Sequence, residues 1–345
     1  MKFCIQLSAD YADKDYGSAR VYQDMLDQAV LCDQLGFDSV SLTEHHLVNC
    51  LMNPAPLLLA TSIAARTQQI KIITSVVVLP LHDMRVYAGE VVMADILCDG
   101  RLMLGVGRGA FPFEMTRMGV EMDETRERFD ESLDVLQKLL AEEEVEWHGK
   151  YYDFDPLTIM PRPAKPGGPA MMMGVMNPAG IAACTKRGFH ILTTPLAGNH
   201  QMLVDQVGAF KTAKQEMGEA GEELSLTLSR VGFATAGAGD REAKIDLAYQ
   251  YYSRFDNIYT GPGIVDAGMI RPLPRQQTRE QMIESLLVGS PAEIIDQLGV
   301  YHQLGVDRII ININFGACQA DTLESIHRLA EEVVPHFQQP ASIAA

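Results

Sequence analysis

Long apolar runs are missing from this chain of 345 residues. No stretch approaches the roughly 20 apolar residues that a membrane-spanning helix needs. The N-terminal segment MKFCIQLSADYADKDY contains neither a basic stretch before an apolar one nor a small-residue cleavage site, and these are the marks of a secretory signal peptide. We therefore expect a cytoplasmic protein that does not associate with membranes.

Basic residues are also few. The chain has 28 Lys and Arg against 45 Asp and Glu, which gives a formal net charge of −17, and the positive residues are scattered rather than clustered. An acidic surface repels the phosphates of nucleic acids and the anionic head groups of lipids. We therefore expect no nucleic acid and no membrane surface as a partner, and the charge otherwise indicates solubility.

Paired cysteines are absent as well. The 6 cysteines include no Cys-x-x-Cys spacing, and most of them lie within apolar patterns. Such residues are typically reduced and behave as small buried hydrophobic side chains. The chain also lacks a low-complexity linker, which argues against two loosely tethered domains, although its length alone is compatible with one domain or two.

A repeated joint is the clearest feature that the sequence does contain. Four times a helical pattern ends at a glycine and a β-rich run follows, at Gly36, Gly100, Gly188 and Gly305. Glycine relieves the strain of left-handed backbone just after a helix, so each joint predicts a turn from a helix into a strand. The chain therefore alternates helices with strands.

Eight short runs have the apolar character of parallel strands that are buried on both faces. They are KFCIQL, DSVSL, KIITSVVVL, RLMLGVG, AMMMGV, HILTT, SLTLSRVGFA and RIIINI. Alternating strands and helices form either a closed barrel or an open doubly wound sheet. The count of eight, the even spacing and the missing linker favour an α/β fold of the (β/α)8 TIM barrel type, as a single domain over residues 1–340.

Two segments exceed the length of a simple barrel unit. Residues 143–168 resemble a small hairpin followed by a Pro-rich approach to the fifth strand, and residues 256–286 form a longer insertion. A loop of that length in a compact domain is usually a lid or a binding loop, so we expect a lid-like insertion at about 256–286. Its Arg271 and Arg275 either meet a polar group of a substrate or are merely solvated.

Polar residues at the carboxyl ends of barrel strands are the first candidates for chemistry, and the second predicted strand ends in Thr43-Glu44-His45-His46. Adjacent residues of an extended chain point to opposite sides, and no third ligand follows at helical spacing. We therefore expect no metal site. One imidazole would face the barrel mouth as an acid, a base or a hydrogen-bond donor.

The fourth strand ends in a glycine-rich segment, residues 105–110, that fits a dinucleotide fingerprint only loosely because no helix is predicted directly after it. Its small residues would let a flat ligand approach the backbone, and Arg108 would bind an anion. Arg126 either serves the same anion or pairs with a neighbouring aspartate on the surface.

The fifth strand runs into a helix that Asn177 and Pro178 open. Free N–H groups and the positive end of the dipole at a helix N-terminus bind phosphate, so this entry is a second candidate anion site. Asn312 and Asn314 lie two residues apart in the eighth strand and share one face. In a barrel such a pair either fills the lumen or binds a ligand.

With these residues assembled, the chain resembles the bacterial luciferase-like, flavin-dependent monooxygenase family over nearly its whole length. The resemblance rests on LGFDSVSLTEHH, NPAPLLLATSIAARTQQIKIITSVVVLP, ADILCDGRLMLGVGRG, HGKYYDF, the helix entry at Asn177 and LVGSPAEIIDQL. It implies a luciferase-like (β/α)8 barrel that binds reduced FMN at the carboxyl ends of the strands. It also implies that this FMNH2 reacts with O2, through a peroxyflavin, to oxygenate a small organic substrate, which we expect to be apolar.

The resemblance also implies roles for particular residues. It marks His45 as the catalytic residue beside the flavin ring and places a non-prolyl cis peptide at Ser75-Val76. The residues expected to bind the cofactor are Glu44, Ser75, Val76, Arg108, Ala110, Phe111, Arg126, Asn177 and Gly180. The family further implies a homodimer. Because Gly107 stands where true luciferases have a reactive cysteine, and Met176 and Asn177 replace a carboxylate and a serine, light emission is not expected.

Three alternatives stay open at this point. A deazaflavin-dependent oxidoreductase of the same barrel family would transfer hydride without oxygen, although its acidic cofactor suits so acidic a chain poorly. A non-catalytic flavin-binding protein and a metal-dependent barrel hydrolase are the others. For the monooxygenase, the weak nicotinamide fingerprint implies that a separate flavin reductase supplies FMNH2.

Overall fold

The computed structural model describes residues 1–196 and 200–338, and its centre is a sheet of eight parallel strands. In chain order these strands are β1 Lys2–Gln6, β2 Ser39–Leu42, β3 Lys71–Thr74, β4 Leu102–Gly107, β5 Met171–Gly174, β6 His190–Thr193, β7 Leu226–Ala234 and β8 Arg308–Asn312. Each strand coincides with one of the eight predicted runs.

Neighbouring strands pair in chain order all the way round. In β8 and β1, Asn312 lies opposite Gln6, and on the other side β8 also pairs with β7. The pairing of β6 with β7, in which Leu192 lies opposite Thr227, completes the circle. The sheet is therefore a closed (β/α)8 barrel, which confirms the predicted fold class, and the carboxyl ends of all eight strands meet at one face.

Helices surround the barrel and connect its strands. They are α1 Ser18–Gln34, α2 Pro56–Ala64, α3 Met84–Leu97, α4 Pro112–Arg117, α5 Thr125–Ala141, α6 Pro178–Lys186, α7 His200–Met217, α8 Ala238–Tyr259, α9 Arg279–Ile283, α10 Pro291–Leu304 and α11 Gln319–Arg328. Helix α10 begins with a capping box at Ser290 and Glu293, and it ends at Gly305, whose φ of 95° is left-handed. The other three predicted joint glycines also have positive φ angles.

Apolar side chains fill the barrel from within and seal it from outside. In the lumen, Cys4, Ile73, Met172, Leu192 and Ile310 pack together across five different strands. A larger apolar layer lies between the strands and the surrounding helices. All six cysteines are free thiols and four of them are buried, as predicted. In the part of the chain that the structure describes, no helix is both long and apolar enough to cross a membrane.

The two segments predicted as insertions contain short elements of their own. The first contains an antiparallel hairpin of Val145–His148 with Asp153–Leu157. In the second, α8 continues to Tyr259, so the first four residues of the predicted lid-like insertion are helical. The remainder holds a two-residue ladder between Val265–Asp266 and Met269–Ile270 and the short helix α9. Residues 339 and 340, the last of the predicted domain span, lie outside the described residues.

Candidate functional site

A cavity of about 560 Å³ opens at the carboxyl ends of the barrel strands, a volume typical of sites for small ligands and cofactors. Of the ten residues predicted for catalysis and cofactor binding, seven line it, namely Glu44, His45, Ser75, Val76, Arg108, Ala110 and Phe111. The other three, Arg126, Asn177 and Gly180, lie outside its lining. The peptide between Ser75 and Val76 is cis, as the resemblance implied.

The His45 imidazole is held on two sides. Its ring stacks on the ring of Phe111, with centroids 4.2 Å apart and planes tilted by 19°. Its Nδ1 lies 3.1 Å from a carboxylate oxygen of Glu114. Because a carboxylate only accepts hydrogen bonds, Nδ1 carries the proton. The Nε2 atom is then the ring nitrogen available to a ligand in the cavity.

Glu114 is one residue of the site that the sequence did not reveal. It belongs to α4, its side chain is buried, and it also accepts a hydrogen bond of 2.9 Å from the backbone N–H of His46. The sequence prediction placed no helix between the glycine-rich segment 105–110 and Glu124. A proline at the first position of a helix, here Pro112, is a recognised start signal and could have indicated α4 and hence the inward direction of Glu114.

Glu44 is fully engaged by neighbouring donors. The Nε2 atoms of His46 and His82 each lie 2.8 Å from one carboxylate oxygen, and the Val78 N–H donates to the other at 2.7 Å. Burial by itself would raise the pKa of Glu44, but these hydrogen bonds outweigh it and lower the pKa to about 2. The bond with Glu44 in turn raises the pKa of His46.

This network separates the two adjacent histidines. His45 faces the cavity, whereas His46 points to Glu44, as the alternation along an extended chain predicts. Within residues 1–196 and 200–338, no group of three or more His, Cys, Asp or Glu side chains is arranged to hold a metal ion. Glu44 therefore anchors the end of β2 and with it the position of His45.

Two glycines within β4 pack closely against a neighbouring segment. A Cβ atom at Gly107 would lie 2.5 Å from Cγ2 of Val76, and Gly107 also lines the cavity, where small residues were predicted to let a flat ligand approach the backbone. A Cβ at Gly105 would lie 1.8 Å from the carbonyl oxygen of Thr74. Both glycines therefore make room for the neighbouring chain of residues 74–76, and Gly107 leaves no space for a cysteine.

The groups predicted to bind phosphate differ in their distance from the cavity and in their hydrogen bonds. Arg108 is exposed at the cavity and forms no hydrogen bond or ion pair with any residue that the structure describes. Arg126 is exposed on α5, away from the lining. At the start of α6, the side-chain oxygen of Asn177 accepts the N–H of Gly180 at 2.7 Å, so this donor is already used within the helix.

An aromatic wall covers one side of the cavity, and the sequence reasoning did not find it. Phe255 and Tyr259 of α8 stack on each other with centroids 5.4 Å apart, and both meet the Phe111 ring edge-on. Tyr251, one turn earlier, receives a hydrogen bond from Asn312. The i, i+4, i+8 spacing of these aromatic residues was the available signal.

A family model described as luciferase-like monooxygenase matches residues 1–308. The chain belongs to this family. The family assignment predicted from the sequence motifs is therefore confirmed, and it agrees with the closed barrel and with a ligand-sized cavity at the carboxyl ends of its strands.

Relatives of this luciferase-like protein include named monooxygenases. The oxygenase component of a flavin-dependent trigonelline monooxygenase from Acinetobacter baylyi is 25% identical over 98% of this chain and 96% of that protein. The monooxygenase RslO1 from Streptomyces bottropensis has a TM-score of 0.85 at 23% identity, with 98% of this chain and 100% of that chain covered. The oxygenating constituent of 3,6-diketocamphane monooxygenase from Pseudomonas putida, solved with FMN, has a TM-score of 0.78 at 19% identity over 99% of this chain and 100% of that chain.

The family also contains deazaflavin enzymes. An F420-dependent glucose-6-phosphate dehydrogenase from Nakamurella multipartita is 25% identical over 91% of this chain and 92% of that protein. Membership of the luciferase-like family therefore establishes an oxidoreductase barrel, whereas the choice between flavin and deazaflavin must come from the cavity itself.

The cavity of this luciferase-like barrel has polar atoms to offer to a cofactor. The Thr43 and Ser75 hydroxyl oxygens are buried in its lining and have no hydrogen-bond partner among the described residues. Buried polar atoms are nearly always paired in folded proteins. FMN is a flat ring with polar edges that carries a phosphate. This form fits the unpaired hydroxyls, the apolar surface at Val76 and the unpaired Arg108.

Proposed function

We propose that this protein is a reduced-FMN-dependent monooxygenase that inserts one oxygen atom of O2 into a small organic substrate. The observation that carries the proposal is the His45–Glu114 pair, which presents one free imidazole nitrogen to a cavity of cofactor size. The neighbouring monooxygenases named above support the same activity.

Bound FMNH2 would supply the two electrons of the reaction, so that one oxygen atom enters the substrate and the other leaves as water. His45 would take up a proton on Nε2 from solvent and give it to the reacting oxygen, while Nδ1 keeps its own proton. The Glu114 carboxylate would hold the ring in place through Nδ1 and stabilise its positive charge, as an acidic partner does for other catalytic histidines.

Residues around the cavity would hold the flavin. Ser75, Val76, Ala110 and Phe111 would contact the ring, and Glu44 would support them from beneath. Arg108 would bind the phosphate, with Arg126 and the α6 entry at Asn177 and Gly180 adding to the attraction from outside the lining. The aromatic wall and the insertion at about 256–286 would act as a lid that keeps water from the reaction.

A separate flavin reductase would supply FMNH2. In the glycine-rich segment 105–110, Gly105 and Gly107 pack against residues 74–76, which supports the expectation that this segment does not bind a nicotinamide cofactor. The trigonelline monooxygenase relative is itself named as an oxygenase component, which supports a two-protein system.

The second candidate is a deazaflavin-dependent hydride transfer, which the F420-dependent relative supports. The net charge of −17 opposes it because that cofactor is strongly acidic. Affinity for FMN and for F420, measured by calorimetry, separates the two candidates. Oxygen uptake with FMN, a flavin reductase and NADH over a substrate panel supports the monooxygenase, whereas FMN binding without substrate-dependent uptake indicates a non-catalytic flavin-binding protein.

Replacing Arg108 by methionine is expected to weaken FMN binding by roughly tenfold or more, since a hydrogen bond to a charged group contributes about 1.5–3 kcal/mol. Riboflavin, which has no phosphate, should bind the variant as well as it binds the wild type. Fluorescence titration measures both affinities. Arg126→Met is the matched control, and a smaller loss is expected because Arg126 lies outside the cavity lining. Equal losses for FMN and riboflavin would remove Arg108 from the phosphate site.

We also propose a homodimer that forms through α3. This helix exposes Val86, Met93, Ile96 and Leu97, whose side chains are between 52% and 62% exposed, and Met160 lies beside the same helix at 75% exposed. An apolar stripe of this kind on a soluble protein typically marks an interface.

Introducing charge into this stripe should separate the dimer. The double variant Val86→Glu with Met93→Glu is expected to raise the dimer dissociation constant at least about 100-fold, because two charges would be buried without partners. Light scattering coupled to gel filtration measures the change. Val300→Glu, on the exposed face of α10, is the control and should stay dimeric. A monomeric wild type would contradict the proposal.

A further inference from the structure

Arg230 is a second arginine in the lining of the cavity, and its charge has no partner. It lies in the middle of β7, it is only 8% exposed, and its Nε has no hydrogen-bond acceptor. Across residues 1–196 and 200–338, no carboxylate forms an ion pair with its guanidinium and no oxygen accepts a hydrogen bond from it. A buried positive charge without an acceptor is costly.

Other largely buried arginines of this chain each have a carboxylate. Their side chains are at most 11% exposed. The pairs are Arg254 with Asp10, Arg275 with Asp256 at 2.7 Å, and Arg308 with Asp38 at 3.0 Å. The fold thus supplies an internal anion for each of these three buried arginines. It supplies none for Arg230, which is the buried arginine in the cavity lining.

Two tyrosines compensate the charge of Arg230 only in part. The Tyr301 ring centroid lies 5.7 Å from the guanidinium carbon. Tyr252 also lines the cavity. Burial raises the pKa of Tyr252 to about 12, and the nearby charge of Arg230 opposes that rise. Aromatic faces attract a cation but do not accept the in-plane N–H groups of a guanidinium, which match a carboxylate.

The other charged groups that line the cavity do not neutralise Arg230, so a ligand can supply the missing anion. Among the described residues that line the cavity, Glu44 is the only carboxylate, and three donors already occupy it. Arg108 is exposed, whereas Arg230 is buried. Because FMN carries a single phosphate, a cofactor bound through Arg108 leaves the second cation without an anion.

We propose that Arg230 binds an anionic head group of the organic substrate, of the carboxylate type, while the apolar body of that substrate packs on the aromatic wall. This inference rests on the proposed function, since it takes the phosphate of the cofactor to lie at Arg108. It changes the expected substrate from an apolar molecule to an organic anion with an apolar or aromatic body. A planar guanidinium binds such a group through two parallel hydrogen bonds.

Benzoate and its uncharged counterpart benzamide are suitable probes, because they share a shape and differ in charge. Calorimetry with the full-length protein loaded with oxidised FMN should show wild type binding benzoate at least about tenfold more tightly than benzamide. Arg230→Met should abolish this preference and leave benzamide binding unchanged. Arg187→Met, which removes an exposed cation on the surface beyond α6, should keep the preference.

The outcomes that overturn the inference are distinct from a failure of the proposed function. Equal affinities of the wild type for benzoate and benzamide would contradict the inference. This result does not depend on whether Arg230→Met folds. Arg230→Lys, which keeps the charge, should retain part of the preference. A loss of FMN affinity in Arg230→Met as large as the loss of benzoate affinity would assign Arg230 to the phosphate and overturn the inference. Absent oxygen uptake contradicts the monooxygenase alone, because probe binding needs no turnover.

Discussion

Replacing His45 by alanine is expected to slow oxygenation by roughly a hundred- to ten-thousand-fold, which is the usual contribution of a positioned acid or base. FMN affinity should change by less than about threefold, because the flavin would be held mainly through its phosphate and the walls of its ring. The measurement is the initial rate of oxygenated product with FMN, a flavin reductase and NADH, together with a separate FMN titration. An unchanged rate would remove His45 from the mechanism.

Two variants make this test specific. His148→Ala removes an exposed histidine of the hairpin and should leave the rate unchanged. Glu114→Gln keeps an acceptor for the Nδ1–H of His45 but carries no charge to stabilise the imidazolium. We expect it to lose roughly tenfold in rate, less than His45→Ala. A loss in Glu114→Gln that appears only as weaker FMN binding would contradict its role in positioning His45.

Replacing Glu44 by glutamine should destabilise the fold by about 3 kcal/mol, since removing one partner of a buried charged network leaves the others unpaired. The amide would face three donor groups, namely the Nε2 atoms of His46 and His82 and the Val78 N–H, with one acceptor oxygen instead of two. The free energy of unfolding in urea measures the effect. Glu121→Gln, an exposed glutamate, should change stability by less than about 0.5 kcal/mol.

The stabilisation by Glu44 should depend on pH in a defined direction. The folded pKa of Glu44 is lowered to about 2, so its contribution is present above its ordinary pKa of about 4.3 and is lost as the pH falls towards 2. The folded pKa of His46 is raised, so its contribution is complete below about 6.5 and is lost as the pH rises through the folded value. The difference between wild type and Glu44→Gln should therefore be largest between about pH 4.5 and 6.5. A difference that keeps growing above pH 8 would contradict this account.

The fold could be predicted because each of its signals is local. A buried parallel strand must be apolar over its whole length, as in RIIINI, and a helix that turns into a strand needs left-handed backbone, as at Gly305. These constraints act within a few residues. The family motifs then led to seven residues that the fold brings to one cavity.

The rest of the site depends on contacts between distant segments. Glu114 reaches His45 across 69 residues, and nothing near either residue indicates that they meet. The aromatic wall forms only because α8 extends over the barrel mouth, past the predicted boundary at 256. Arg230 sits in an apolar run that reads as an ordinary strand, and its isolation becomes visible only once the carboxylates around it have been located.

The central claim is that this barrel uses reduced FMN to place one atom of O2 in an organic substrate. Its most direct test is a single turnover of the protein with FMNH2 under 18O2, with the product of a substrate panel followed by mass spectrometry. The account predicts one 18O atom in the product of the wild type and almost none with His45→Ala. Product that forms without O2, or that carries no label, would contradict it.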